Sequence, residues 1–218
     1  MAEAMGNVAE VALVARSPID PAPPVTVEQG WQISARRSDA AMRIVDCTPL
    51  AKVLVKAPVD GPIAASLGVT FGRAARDSTG ALVIGSGPGE WLLLAPPGRA
   101  GEVVGRLSTA GEGGWMSIFD VTHGRALLRL GGPDAAALLS KVCAIDFADA
   151  VTPNAAAFRS SVATMVTDIV RDDLAEQEGK PSYLLGCERS SGQYLFDALL
   201  DAGEEFGIDV DGFVFPGI

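Results

Sequence analysis

The chain contains a single histidine, His123, and this limits the chemistry that the sequence could support. One imidazole cannot complete a metal site that needs several histidines, and no Ser-His-Asp triad can be assigned around it. His123 lies in Thr122-His123-Gly124, between two segments with the apolar pattern of strands. The sequence leaves two interpretations of His123: a site histidine, or a turn residue that hydrogen-bonds nearby backbone.

The cysteines and the glycine-rich stretch predict neither a metal site nor a nucleotide site. Cys47, Cys143 and Cys187 lie far apart and lack a CxxC spacing, so they do not indicate zinc. Their odd number is more typical of reduced cytoplasmic thiols than of a disulfide framework. The stretch 85–89 contains Pro88 and leads into a predicted strand. We therefore expect a turn there and not a dinucleotide fingerprint, which would open a helix.

The segment 115–147 predicts the elements that surround His123. Apolar residues over 116–121 predict one strand, and alternation over 126–130 predicts a second. The sequence 131–134, GGPD, ends that strand and starts a helix whose apolar residues recur at helical spacing. His123 is thus expected in the turn between two strands.

The other predicted elements do not alternate regularly. Residues 25–45 predict one or two strands, and single strands are predicted over 52–56, 81–84, 91–94, 157–162, 165–170 and 183–187. Helices are predicted over 62–67, over 99–109 and from Ser190 to Gly207. This irregular succession favours an α+β fold with mostly antiparallel sheets.

Particular residues are expected to end or orient these helices. Asp60 is the candidate N-cap of the first helix, and Gly68 is its expected end. Ser190 or Ser191 is the candidate N-cap of the last helix, whose inward-facing residues are predicted to be Tyr194, Leu195, Leu199 and Phe206. Trp31, Trp91 and Trp115 are expected to be core or interface anchors.

Composition excludes several classes of function. With 218 residues, of which 48% are hydrophobic, the chain can bury a substantial core. The formal net charge is −10, and no basic cluster could neutralise a phosphate backbone, so we expect no nucleic-acid partner. No apolar run approaches the roughly 20 residues of a membrane-spanning helix, and the N-terminus does not resemble a signal peptide. We expect a cytoplasmic protein without a membrane partner.

The N-terminal residues 1–24 are predicted to form an arm. Pro18, Pro21, Pro23 and Pro24 favour an extended link, and the preceding residues are too few for a stable isolated helix. We expect this arm to dock on a partner chain and not on its own domain. Residues 25–218 are predicted to form one α+β domain, with possible subdomains at about 25–114 and 115–218.

The segment around His123 resembles the aminomethyltransferase family, which includes the T-protein of the glycine cleavage system. The family pattern is similar to DxSHxGxxxxxGxDAxxFLxxxxxxD. It is matched at Asp120, Thr122, His123, Gly124, Gly132, Asp134, Ala135, Leu138, Leu139 and Asp146. Two other phrases resemble the gamma subunits of heterotetrameric sarcosine oxidases: GPGEWLLLAP over 87–96, and RSPI over 16–19. The similarity extends from about residue 16 to about residue 208.

This resemblance implies a non-catalytic gamma subunit that helps to assemble an oxidase with alpha, beta and delta subunits. The parent complex would demethylate sarcosine, or a related N-methyl amino acid, and form 5,10-methylenetetrahydrofolate. The cofactors FAD, FMN, NAD, zinc and tetrahydrofolate are then expected on partner subunits, with no catalytic residue and no metal site in this chain.

Asp146 is the residue that the resemblance marks most directly, because catalytic relatives have an aspartate near the reactive nitrogen of bound folate. Here Ile145 replaces their preceding Asn, and the run 159–168 lacks the Asn and Gly of their next hairpin. Asp146 and His123 are therefore candidates for a vestigial folate site, or residues that only turn the chain. The alternative function is a stand-alone folate-binding, aminomethyltransferase-like protein that uses Asp146.

Overall fold

The computed structural model describes residues 13–111, 114–174 and 179–218. The strands in these ranges are β1 (Ala15–Arg16), β2 (Val25–Glu28), β3 (Trp31–Ser34), β4 (Arg43–Asp46), β5 (Ala51–Lys56), β6 (Ala74–Arg76), β7 (Leu82–Gly87), β8 (Glu90–Ala95), β9 (Ser117–Asp120), β10 (Arg125–Gly131), β11 (Ala157–Val162), β12 (Met165–Arg171), β13 (Ser182–Glu188) and β14 (Asp209–Asp211). The helices are α1 (Pro62–Leu67), α2 (Ala100–Ala110), α3 (Ala135–Val142) and α4 (Gly192–Gly203). Single 3₁₀ turns cover Thr122–Gly124, Arg189–Ser191 and Glu204–Phe206.

These strands pair into three sheets. The five-stranded sheet has the order β6-β7-β8-β5-β9, the six-stranded sheet β11-β12-β13-β10-β4-β14, and the small sheet β1-β3-β2. Strand β1 runs parallel to β3 and β14 runs parallel to β4, whereas the other pairs of named strands are antiparallel. The predicted α+β class with mostly antiparallel sheets is confirmed.

The two large sheets face each other, and each is covered by helices on its other side. Leu128 of β10 packs in the apolar cluster that contains α3 and α4, whereas its neighbour Leu127 packs between the sheets. In β8, Leu93 packs with α1 and α2, and Leu94 packs between the sheets. Because alternate strand residues point to opposite faces, both sheets are buried on both sides. The layers are helix, sheet, sheet and helix.

The chain crosses between the two large sheets at two connections. The first, residues 47–50, joins β4 of the six-stranded sheet to β5 of the five-stranded sheet, and the second, residues 121–124, joins β9 to β10. The strands on either side of His123 therefore form no hairpin, because β9 pairs with β5 and β10 pairs with β4 and β13. Each large sheet contains strands from both sides of residue 114, since β4 lies in the six-stranded sheet and β9 in the five-stranded sheet. The division into subdomains at about 25–114 and 115–218 stays a prediction.

Several local expectations need correction. Residues 25–45 contribute to three strands, because the tight turn at Gln29–Gly30 separates β2 from β3. The turn between β7 and β8 is limited to Pro88 and Gly89, while residues 85–87 belong to β7. The N-cap of α1 is Gly61 and not Asp60, and no side chain caps this helix, because glycine has no side chain that could accept from the first free N–H groups.

The ends of the helices otherwise follow the sequence closely. Gly68 ends α1 with a φ of 63°, as predicted. Ser191 is the N-cap of α4, although its side chain makes no capping hydrogen bond. Leu195 and Leu199 are buried, but the inward prediction for Tyr194 is wrong, since 52% of it is exposed. Tyr194 lies one position, about 100° of helix rotation, away from Leu195 and so falls outside the buried stripe.

The described part of the N-terminal arm packs on its own domain, and the prediction that this part docks elsewhere is wrong. Ile19 is only 2% exposed and joins the apolar cluster beneath α4. Pro18 lies so close to the start of α4 that a Cβ built on Gly192 would be 2.7 Å from its ring. The backbone N–H of Asp20 donates to Gln193 at 2.7 Å. The prolines thus keep the arm extended across the protein's own surface. Residues 1–12 lie outside the described ranges.

Candidate functional site

His123 lies at the second connection between the sheets. Its 3₁₀ turn follows β9, and its ring stacks on Trp31 with centroids 5.1 Å apart and planes inclined by 13°. Trp31 is 6% exposed, whereas His123 is exposed to solvent. The imidazole therefore covers a buried indole at a turn, and this packing accounts for its position.

Asp146 lies on another part of the molecule. It follows α3, is exposed, and its carboxylate accepts a hydrogen bond from the backbone N–H of Ala148 at 2.9 Å. The next residue, Phe147, is 3% exposed and packs in the cluster between α3, α4 and the six-stranded sheet. The carboxylate thus forms a local turn that directs Phe147 into this cluster.

Charged side chains meet instead in a cavity between the two large sheets, which we call the inter-sheet cavity. Its volume is about 240 Å³. The five-stranded sheet contributes Leu54, Ser86, Glu90 and Leu92 to the lining, and the six-stranded sheet contributes Arg125, Arg159, Asp168 and Glu188. Among the described lining residues neither His123 nor Asp146 occurs, so the structure does not bring the two predicted site residues together here.

Asp168, one of the lining residues, forms ion pairs with two arginines. Its Oδ2 accepts a hydrogen bond from Arg125 Nη2 at 2.5 Å, and its Oδ1 accepts one from Arg159 Nε at 2.6 Å. The hydrogen bond and the charge of Asp168 raise the pKa of Arg159. Each oxygen of Asp168 already has a guanidinium donor, so a ligand amine would have to compete with an arginine for it.

The strands that carry this group explain its geometry. Arg159 and Asp168 are direct partners in the β11–β12 hairpin, and Asp168 lies opposite Gly186 of β13. The hairpin turns in only two residues, Ala163 and Thr164, which have φ angles of 46° and 70°. The connection between β11 and β12 is therefore only these two residues long.

The sequence did not mark Arg125, Arg159 or Asp168 as a cluster. The available signal was Asp168 at the end of the 159–168 run, with Arg159 at its start. Their meeting with Arg125 depends on the pairing of β10 with β13 and of β13 with β12, which no local pattern reveals.

A second polar group is buried where the two connections meet. Lys52 is 1% exposed, and its Nζ donates to the carbonyl oxygens of Thr48 at 2.7 Å, Leu50 at 2.9 Å and Thr122 at 3.2 Å. Burial lowers the pKa of Lys52 to about 8, although the negative charge of Asp46 acts to raise it. Burial also raises the pKa of the neighbouring Asp46 carboxyl. The three hydrogen bonds of Lys52 tie the two connections together.

The thiols are buried as well. Burial raises the pKa of Cys47 to about 12 and that of Cys187 to about 11. Across residues 13–111, 114–174 and 179–218, no three His, Cys, Asp or Glu side chains form a group that could hold a metal ion. In the same ranges no helix has the length and apolar character needed to cross a membrane.

Solved structures with a similar fold include chains from two kinds of protein. A chain of the heterotetrameric sarcosine oxidase from Corynebacterium sp. U-96, in complex with pyrrole 2-carboxylate, is 24% identical with a TM-score of 0.65, covering 79% of this chain and 89% of that chain. The glycine cleavage system aminomethyltransferase T from Bartonella henselae is 16% identical with a TM-score of 0.64, covering 88% of this chain and 56% of that one. At these identities the likeness shows a shared fold.

Sequence comparison gives the family. A model of the sarcosine oxidase, gamma subunit family matches residues 52–205. The chain is also 34% identical over 150 residues to the sarcosine oxidase subunit gamma of Arthrobacter sp, and the match covers 66% of this chain and 69% of that protein. The resemblance predicted from the sequence is thus confirmed. The chain belongs to the sarcosine oxidase gamma subunit family.

Proposed function

We propose that this chain is the gamma subunit of a cytoplasmic, heterotetrameric sarcosine oxidase, or of a related N-methyl amino acid oxidase or dehydrogenase. The parent complex oxidatively demethylates its amine substrate and forms 5,10-methylenetetrahydrofolate. The match of residues 52–205 to the gamma subunit family carries this proposal. It implies that the chain works with partner subunits and not alone.

Within that complex, the gamma subunit contributes to assembly and stability and performs no chemical step. The alpha, beta and delta subunits hold FAD, FMN, NAD, zinc and tetrahydrofolate. The positions of the candidate residues support this division of roles, because His123 packs on Trp31 and Asp146 forms a turn. Asp168 is already held by two arginines.

The alternative, a stand-alone folate-binding protein that uses Asp146, is not favoured. The Asp146 carboxylate is exposed and accepts a hydrogen bond from the backbone N–H of Ala148. A carboxylate that contacts bound folate should instead line a cavity. The match of residues 52–205 to the gamma subunit family also favours the gamma subunit over an aminomethyltransferase.

Coexpression of the four subunits, with and without this chain, tests the proposal. Omission of the chain should lower the yield of the assembled complex several-fold, while the purified chain alone should be colourless and should not oxidise sarcosine in a dye-linked assay. A purified chain that retains flavin absorbance through gel filtration, or a complex whose yield is unchanged without the chain, would contradict the proposal.

A further inference from the structure

One end of the five-stranded sheet carries an apolar groove with a volume of about 320 Å³. Val69 and Trp91 lie in its floor and walls, and Val59, Phe71 and Pro88 lie along its rim. None of the described residues in its lining is charged, although charged residues make up 20% of the chain. The groove therefore presents a surface that favours apolar atoms over ions.

The walls of this groove are held by close backbone contacts. Trp91 Nε1 donates to the carbonyl oxygen of Val69 at 2.7 Å, which joins strand β8 to the segment before Phe71. A Cβ built on Gly85 would lie 2.2 Å from the carbonyl oxygen of Thr70, so β7 approaches that segment more closely than any other residue would allow. The groove is thus formed before any partner binds, which lowers the entropic cost of binding.

Three large apolar side chains are exposed at this end of the sheet, and two of them, Val59 and Phe71, line the groove. The exposed fractions are 65% for Val59, 61% for Phe71 and 67% for Trp115. Lys56 pairs with both Glu90 and Ser117, which brings the starts of β8 and β9 to this end of β5. Trp115 lies two residues before the start of β9, and it is therefore at the same end of the sheet as the Pro88–Gly89 turn. We call the groove and these three side chains the apolar end.

We infer that the apolar end seats an uncharged, apolar segment of a partner subunit of the oxidase. This inference rests on the proposed function, in which one gamma subunit meets chains of different sequence. A second gamma subunit is then not its occupant. The uncharged lining selects a partner segment of aliphatic and aromatic side chains, because a buried carboxylate or ammonium would find no ion partner there. Exposed aromatic side chains beside a preformed pocket are typical of residues that dominate binding.

The test compares two equally exposed valines in the full chain, coexpressed with its partner subunits. Val59→Glu places a charge in the apolar end, and Val166→Glu places the same charge on β12 of the six-stranded sheet, where Val166 is 68% exposed. Phe71→Glu is the second variant in the apolar end. The amount of partner subunits that copurifies with each tagged variant should fall at least tenfold for Val59→Glu and Phe71→Glu. It should stay within twofold of wild type for Val166→Glu.

Two further measurements separate the possible failures. Thermal unfolding of each isolated variant should match wild type within a few degrees, so that lost capture reports the surface and not the fold. If wild type captures partners and the two variants in the apolar end do so equally well, this inference is overturned while the proposed function stands. If wild type captures no partner, both fail. A wild-type dimer in sedimentation analysis that Val59→Glu dissociates would assign the apolar end to a second copy and overturn the inference.

Discussion

The ammonium group of Lys52 lies 3.2 Å from the carbonyl oxygen of Thr122, which joins a strand of the five-stranded sheet to the connection that enters the six-stranded sheet. The backbone N–H of Lys52 also donates to Thr122 Oγ1 at 3.0 Å. The same ammonium group bonds to Thr48 and Leu50 in the other connection. One side chain thus contacts both places where the chain changes sheets.

Replacing this lysine should destabilise the protein. Lys52→Met keeps the length of the side chain but leaves three buried carbonyl oxygens without their donor, and we expect a loss of about 2–3 kcal/mol in the free energy of unfolding. Urea unfolding measures this loss. Lys56→Met on the same strand is the control, because the Lys56 side chain is 48% exposed and pairs with Glu90 at 3.0 Å. The control should lose less than about 1 kcal/mol. Equal losses of unfolding free energy in both variants would show that the buried hydrogen bonds of Lys52 contribute no more than an exposed ion pair.

The pH dependence of Lys52 has a definite sign. Its pKa falls from 10.5 to about 8 on folding, so between these values the unfolded chain binds a proton that the folded chain has released. The free energy of unfolding therefore gains a contribution from Lys52 that increases from about pH 8 to about pH 10. Wild type should gain stability relative to Lys52→Met over this interval, by up to roughly 3 kcal/mol.

Cys47 also titrates in this interval, in both proteins. Burial raises the pKa of Cys47 from 9.0 to about 12, which lowers stability above about pH 9 in both proteins, and more so in Lys52→Met because the charge of Lys52 lowers the pKa of Cys47. The informative quantity is therefore the difference between the two unfolding curves at each pH. A difference that stays constant from pH 7 to pH 10 would contradict the prediction.

Ile19 should contribute to stability although it lies in the predicted arm. It is 2% exposed, and Ile19→Ala should lower the free energy of unfolding by about 2–4 kcal/mol through lost apolar contacts and a new cavity. Val14→Ala is the matched control, since Val14 is 43% exposed and should change stability by less than about 0.5 kcal/mol. Chemical unfolding compares the two. Should Ile19→Ala unfold like wild type, the arm would not be part of the core.

Tetrahydrofolate should not bind specifically to the isolated chain. Asp146 is used in a turn, and the carboxylate of Asp168 is occupied by Arg125 and Arg159. Titration calorimetry with tetrahydrofolate should give no saturable heat at micromolar concentrations, for wild type and for Asp146→Ala. Micromolar binding that disappears in Asp146→Ala would instead favour the stand-alone folate-binding alternative.

The sequence predicted most elements because their signals are local. The alternation in β10 and the glycines before α3 can be recognised within a few residues, and both elements form where expected. Sheet partners cannot be recognised in this way, which is why the strands around His123 suggested neighbours but lie in different sheets. The cluster of Arg125, Arg159 and Asp168 was missed for the same reason. It forms only when β11 pairs with β12, β12 with β13, and β13 with β10.

The exchange of strands between the halves of the chain has a consequence for any attempt to divide it. Strand β4, from the first half of the chain, lies between β10 and β14 in the six-stranded sheet. Strand β9, from the second half, pairs with β5 at the edge of the five-stranded sheet. A gene split near residue 114 would yield two polypeptides with unpaired strand edges and half-covered apolar faces. Such polypeptides should regain structure only by fragment complementation, each serving as the template on which the other folds.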